Sequence, residues 1–202
     1  MLRSVVAVLV LAGVLSAQAN KPAGDTKPSG PAPEVSVPTY GNTTCPLMNR
    51  PVKPDMFVDT PHGRVLVCCK NCVAKAKKDP EGTYAKAYPT PQKVGNKTDP
   101  ISGKPVKEGV TAVYLGHEIN LEDAKHAKAV VANGDIYVTL LTKPEIKDVN
   151  NTKDPTNDKP VTDNHFAVVG TSLIRLSSAD SVEAVKKDPA KAIEKAQKSA
   201  KK

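Results

Sequence analysis

Short apolar runs closed by turn signals dominate the chain after its first forty residues. Met56-Phe57-Val58 and Arg64-Val65-Leu66-Val67 are β-prone, and Asp59-Thr60-Pro61-His62-Gly63 between them predicts a hairpin. Ahead of it, Pro46, Pro51 and Pro54 impose a turn or knuckle and exclude a helix. Residues Asn71 to Lys78 predict a helix. Asp79-Pro80 then supplies an N-cap and a first-turn proline for a second helical piece ending near Tyr88. Further on, Leu121 to Ala132 predicts a helix stopped at Asn133-Gly134, and Ile136 to Leu141 has the β-branched, apolar character of a buried strand. Pro189 to about Ser199 predicts a Lys/Ala-rich helix.

The first residues follow a different rule. Arg3 precedes an apolar run from Val5 to Leu15, and Ala17-Gln18-Ala19 suits signal peptidase. Residues 1–19 therefore predict a cleavable secretory signal and a secreted or periplasmic mature chain starting near Asn20. The apolar run is shorter than the ~20 residues of a bilayer span, so no transmembrane segment is expected after cleavage. Residues 20–40 are rich in Pro, Gly and polar side chains, which predicts a disordered linker.

Internal repetition sets the remaining organisation. Asn42-Thr43-Thr44-Cys45-Pro46 recurs as Asn96-Lys97-Thr98-Asp99-Pro100 and as Asn151-Thr152-Lys153-Asp154-Pro155. A Pro-Val pair follows each at the same distance, at Pro51, Pro105 and Pro160. Phe57 matches Phe166, Val73 matches Val182, and Lys77-Lys78-Asp79-Pro80 matches Lys186-Lys187-Asp188-Pro189, all without a gap. In the second copy Gly116 meets Gly63 only after a one-residue shift, which leaves its register open. The expected fold class is α+β: tandem small ββα units at 41–90, 91–149 and 150–202. None would bury much core alone.

Composition adds two constraints. With no Trp and only two Phe, the units need metal, disulfides or mutual docking as staples. The net charge of +8 is carried by scattered lysines, densest from Lys186 to Lys202. No aromatics interleave with them, so the charge does not predict nucleic-acid binding. Solubility and a loose affinity for anionic surfaces account for it.

All four cysteines fall in the first unit: Cys45 in the knuckle, Cys68 and Cys69 after the second strand, and Cys72 one helical turn on. A knuckle and a helix start are two separated segments of the kind a tetrahedral site uses. Thiolates select soft ions, here Zn(II) or Cu(I). Cys45-Pro46-Leu47-Met48, Pro51-Val52, the run Gly63 to Cys72, Asp79-Pro80 and Tyr84 together resemble the TRASH/YHS-type metal-binding family. That resemblance is strong from Thr44 to about Tyr88. It implies a treble-clef-like module with Cys45, Cys68 and Cys72 as core ligands, Cys69 as a fourth, and a role in extracytoplasmic heavy-metal handling. The two later copies carry it weakly, through Asp99 to Val106 and Asp154 to Val161, with Ser102 or Asn157 in place of the family's cysteine.

Other readings of the same residues stay open. Four exported cysteines can form two disulfides in a structural or interaction protein. Cys69-Lys70-Asn71-Cys72 fits the C-x-x-C of a thiol oxidoreductase, although the surrounding βαβ pattern is missing. At the cysteine positions the third copy has Asp154, Ser177, Ser178 and Ser181, poor soft-metal ligands. The second has Asp99, Glu122, Asp123 and His126, where Glu122 and His126 at i, i+4 would share a helix face and offer a harder second site. Met48 is a candidate thioether ligand favouring Cu(I), though a knuckle methionine is more often a packing residue, and His62 reads as a solvated turn residue rather than a ligand. No Gly-rich phosphate loop, HExxH or nucleophile–base pair occurs, so no enzyme is expected. The expected partner is a metal ion, with a protein partner reached through the repeats.

Overall fold

The computed structural model describes residues 32–200. The expected signal peptide and the first part of the expected linker lie outside the described residues. The elements are β1 (Val35–Ser36), β2 (Lys53–Thr60), β3 (Gly63–Val67), α1 (Lys70–Lys78), α2 (Pro80–Ala87), β4 (Gln92–Lys93), β5 (Thr111–Tyr114), β6 (His117–Asn120), α3 (Ala127–Ala132), α4 (Gly134–Thr142), β7 (Lys147–Asp148), β8 (Phe166–Val169), β9 (Ser172–Arg175), α5 (Ser181–Lys187) and α6 (Pro189–Lys198). The fold is α+β, with small sheets in the orders β2-β3, β4-β6-β5 and β1-β8-β9-β7. No helix among the described residues is long and apolar enough to cross a membrane.

Antiparallel hairpins β2–β3, β5–β6 and β8–β9 organise the chain. A Pro-closed knuckle precedes each, marked by the lone bridges Thr44–Pro51, Thr98–Pro105 and Lys153–Pro160. One asparagine fastens each knuckle to its hairpin. Asn42 donates Nδ2 to the Leu66 carbonyl at 2.8 Å and accepts the Leu66 N–H at 3.0 Å. Asn96 makes the same pair of bonds with Asn120, and Asn151 with Arg175. A side-chain amide can donate and accept at once, so it serves a strand residue as a neighbouring backbone would.

The open register of the second segment is settled by its turn. Tyr114 pairs with His117 as Thr60 pairs with Gly63, so Leu115-Gly116 takes the place of Pro61-His62. Leu115 and Gly116 both have positive φ, the backbone of a two-residue hairpin turn. No gap is needed, and Gly116 is not the counterpart of Gly63.

After the first hairpin, Asp79 links two helices. It closes α1, and its side chain accepts the Gly82 N–H at 2.8 Å to start α2, with Pro80 in the first turn. Asp188 repeats this between α5 and α6, accepting the Lys191 N–H at 3.2 Å. The helices cover the hairpins, burying Val65, Val67 and Ala76 in one cluster and Ala167, Ile174 and Val185 in another.

Three expectations are corrected here. Ile136 to Leu141 is helical, inside α4, not a strand. This helix presents Val138 and Leu141 to the core around β5–β6, and Ile136 and Leu140 to Phe166, Val168 and Leu173. Burial on two sides makes it apolar all round, which hides the helical period. The helix expected from Leu121 instead begins with a 3-10 turn at Ala124–His126, leaving Leu121 and Glu122 outside it. The disordered linker expected to residue 40 ends earlier: Val35 and Ser36 pair with Val169 and Val168, and the Tyr40 hydroxyl meets Thr139 Oγ1 at 3.1 Å.

The segments dock through polar contacts. Tyr84 Oη accepts the Gly116 N–H at 2.9 Å, and Leu115 N–H reaches the His62 carbonyl at 2.9 Å. Asn164 Nδ2 donates to Asp135 at 2.8 Å, and Asp135 also accepts the Tyr114 hydroxyl at 3.1 Å.

Candidate metal centre

Cys45 sits in a tight loop. Its N–H reaches the Arg50 carbonyl at 2.8 Å, and its own carbonyl accepts the Asn49 N–H at 2.9 Å. Asn49 adopts φ 50°, a left-handed conformation that asparagine tolerates. Cys68 follows the last residue of β3. Cys69 is the extended N-cap of α1, and Cys72 lies in that helix's first turn. The hairpin exit and helix start therefore carry three thiols to the knuckle that carries the fourth.

The sulfurs of Cys45, Cys68 and Cys72 all lie within 4.8 Å of one another. Cys68 and Cys72 are 3.7 Å apart. A tetrahedral ion with bonds of about 2.3 Å holds its sulfurs about 3.8 Å apart, so this pair already has a metal-bound spacing. Cys69 is outside the mutual group but touches Cys72 at 3.5 Å. All four thiols are free, with no disulfide among them. Cys45 and Cys72 are buried, while Cys68 and Cys69 are half-buried.

The backbone prepares this pocket for negative charge. Burial opposes ionisation of Cys45, but the N–H groups of Leu47, Cys68 and Met48 outweigh it and pull that thiol below its ordinary value. The Cys72 N–H does the same for Cys69 at the helix start. Burial pushes Cys68 up, and pushes Cys72 to about 12. The backbone donors thus ease ionisation at Cys45, while burial opposes it at Cys72.

The corresponding positions of the other two segments show what the pocket is built to hold. Asp99 stands where Cys45 does. It accepts the Ile101 and Ser102 N–H groups on Oδ1 and the Glu122 N–H on Oδ2, with His126 Nδ1 at 2.9 Å. Asp154 accepts from Thr156 N and Oγ1, Ser177 N and Oγ, and Ser181 Oγ, all at 2.6 to 2.8 Å. In both, an anion collects N–H donors from its own loop and from the hairpin exit. The Cys45 sulfur faces the corresponding N–H groups of Leu47, Met48 and Cys68.

The expected second site does not assemble. Asp99 is 1% exposed, with its oxygens committed to backbone donors and His126. Glu122 lies before the 3-10 turn, so no shared helix face with His126 exists, and it points to Ser102 Oγ at 3.4 Å and Lys107 at 3.8 Å. Asp123 turns away to cap that 3-10 turn through the Lys125 N–H at 3.0 Å. Among the described residues only Cys45, Cys68 and Cys72 form a convergent ligand group.

Two smaller expectations also change. Met48 is not a packing residue: it is 46% exposed. His62 is more than a solvated turn residue, since its ring leans on Tyr84 at 4.9 Å and lies 3.7 Å from Glu81. Sequence reasoning missed the asparagine clasps, although the recurring Asn42, Asn96 and Asn151 were the signal for them. It also missed the anion-hub role of Asp99 and Asp154.

Compared with known proteins, the chain matches no family model, no curated protein and no solved structure.

Proposed function

We propose that this protein binds one thiophilic metal ion, Zn(II) or Cu(I), outside the cytoplasm, as a scavenger, carrier or sensor component. The observation that carries the reading is the convergence of the Cys45, Cys68 and Cys72 sulfurs within 4.8 Å, without a disulfide. Cys45, Cys68 and Cys72 are the core ligands and Cys69 completes the shell. The N–H groups around Cys45 and Cys69 offset the excess negative charge that several thiolates leave on a mono- or divalent ion.

The resemblance of residues 44–88 to TRASH/YHS-type modules supports the same reading, as does the ββα construction of that segment. The extracytoplasmic setting rests on the signal-like pattern of residues 1–19. The role is binding rather than catalysis, with the later segments acting as a scaffold that can meet a protein partner.

Thiol counting on denatured, metal-stripped protein, paired with elemental analysis of the native protein, tests the reading. Four free thiols and one equivalent of zinc or copper are expected. Two disulfides and no metal would favour a structural extracytoplasmic protein instead.

A further inference from the structure

The four cysteines are not equivalent, and their differences suggest how an ion enters and leaves. Cys45 and Cys72 are 1% and 2% exposed and packed into the core with Val65, Val67 and Ala76. Moving either would open the cluster that holds the hairpin to its helix. Cys69 is different. It is half-buried like Cys68, but unlike Cys68 it stands outside the mutual group, flanking it through Cys72 at 3.5 Å and through Cys68. Its structural duty to α1 is carried by its backbone, whose carbonyl accepts the Cys72 and Val73 N–H groups at 3.0 and 3.1 Å. The Cys69 side chain makes no capping hydrogen bond. Rotating it away costs the helix start only the approach of its sulfur to the Cys72 N–H, while the backbone bonds that begin α1 stay in place. A second soft donor stands in solvent in the same module: the Met48 side chain, 46% exposed in the knuckle next to Cys45.

We propose that Cys69 is the displaceable ligand of the site, closing it at rest and yielding to a thiolate of a partner during transfer. The inference rests on the metal-binding reading above and adds to it a route and a partner chemistry, a molecule with a free thiol. In the exchange, the incoming thiolate forms a metal–sulfur bond as the metal–sulfur bond to Cys69 breaks. The proton lost by the acceptor thiol passes through solvent to the released Cys69. The oxidation state of the ion does not change, so no electron donor is required. The buried triad retains the ion until further acceptor sulfurs replace it, which makes transfer stepwise and dependent on acceptor concentration.

The test uses the full chain loaded with one equivalent of Zn(II), with dimercaptosuccinate as the thiol acceptor. Protein-bound zinc is measured after rapid desalting, for wild type, Cys69→Ser and Cys45→Ser. Cys69→Ser is expected to retain one ion and to lose it to the acceptor about tenfold faster than wild type, since its closing ligand is already gone. Cys45→Ser is expected to retain none. Loss of the ion from Cys69→Ser as complete as from Cys45→Ser would overturn the inference by making Cys69 a holding ligand. A transfer rate unchanged in Cys69→Ser would also overturn it, by placing Cys69 outside the path. Absence of zinc on the wild-type chain would overturn the metal-binding reading itself, and the inference with it.

Discussion

Ser181 donates its hydroxyl to Asp154 at 2.6 Å across 27 residues of chain, and the same separation brings Cys72 to Cys45 and His126 to Asp99. One backbone device therefore serves three chemistries. The knuckle and the hairpin exit aim N–H groups at a single position, which favours negative charge on the residue there. A carboxylate with hydroxyl or imidazole partners satisfies that demand internally. Three converging sulfurs in that place form a group that could hold an ion.

Replacing Asp154 with asparagine keeps the shape and removes the charge. The side chain is buried and accepts five donors, so Asp154→Asn places an NH2 group against hydrogens. We expect a loss of about 3 kcal/mol in denaturant unfolding. Ser181→Ala, which removes one donor, should cost about 1 kcal/mol.

Stability should fall in acid because of these two carboxylates. Burial works against ionisation of Asp99 and Asp154, but His126 and the backbone donors for one, and Ser181, Thr156 and Ser177 for the other, hold both at about 2 against an ordinary 3.8. A lowered folded value means the contribution is full above the unfolded value and vanishes as pH falls through the folded one. Each carboxylate should therefore contribute roughly 2 kcal/mol above pH 4, lost between about pH 4 and pH 2. Unfolding free energies measured across that window, compared with Asp154→Asn, check the slope; a variant as acid-sensitive as wild type would refute the assignment.

The asparagine clasps should rank by burial. Asn151 is 2% exposed, whereas Asn42 and Asn96 are half-buried, and each bonds a hairpin residue through both ends of its amide. Asn151→Ala should cost about 2–3 kcal/mol, and Asn42→Ala and Asn96→Ala about 1 kcal/mol each. Thermal unfolding of the three variants provides the ranking.

Gly134 is needed for space. A Cβ there would meet the Tyr114 ring at 2.3 Å, and that ring is buried with its hydroxyl bonded to Asp135. Gly134→Ala must displace Tyr114 or tilt α4, at a cost of about 2–3 kcal/mol. A neutral outcome in chemical denaturation would show that the ring moves freely.

The legible parts of this protein were those written in local signals. Pro61-His62 between β-prone runs marked a hairpin, and Asp79-Pro80 marked a helix start, both as found. The gathering of Cys45 with Cys68 and Cys72 followed from their places in a knuckle and at a helix start. What escaped was set by distant contacts. The two-sided burial of α4 gave Ile136 to Leu141 a strand's composition. Val35 joins a sheet only because Val169 lies beside it. The anion-hub role of Asp99 depends on where backbone N–H groups point, which no side-chain pattern records.

Competitive metal titration of the full, reduced chain tests the central claim most directly, with a chromophoric chelator reporting free ion. The account predicts one ion per chain, bound tightly enough to compete with the chelator, and no binding to a Cys45→Ser, Cys68→Ser or Cys72→Ser variant. A wild-type chain whose four thiols are free but which leaves all the ion on the chelator would contradict it.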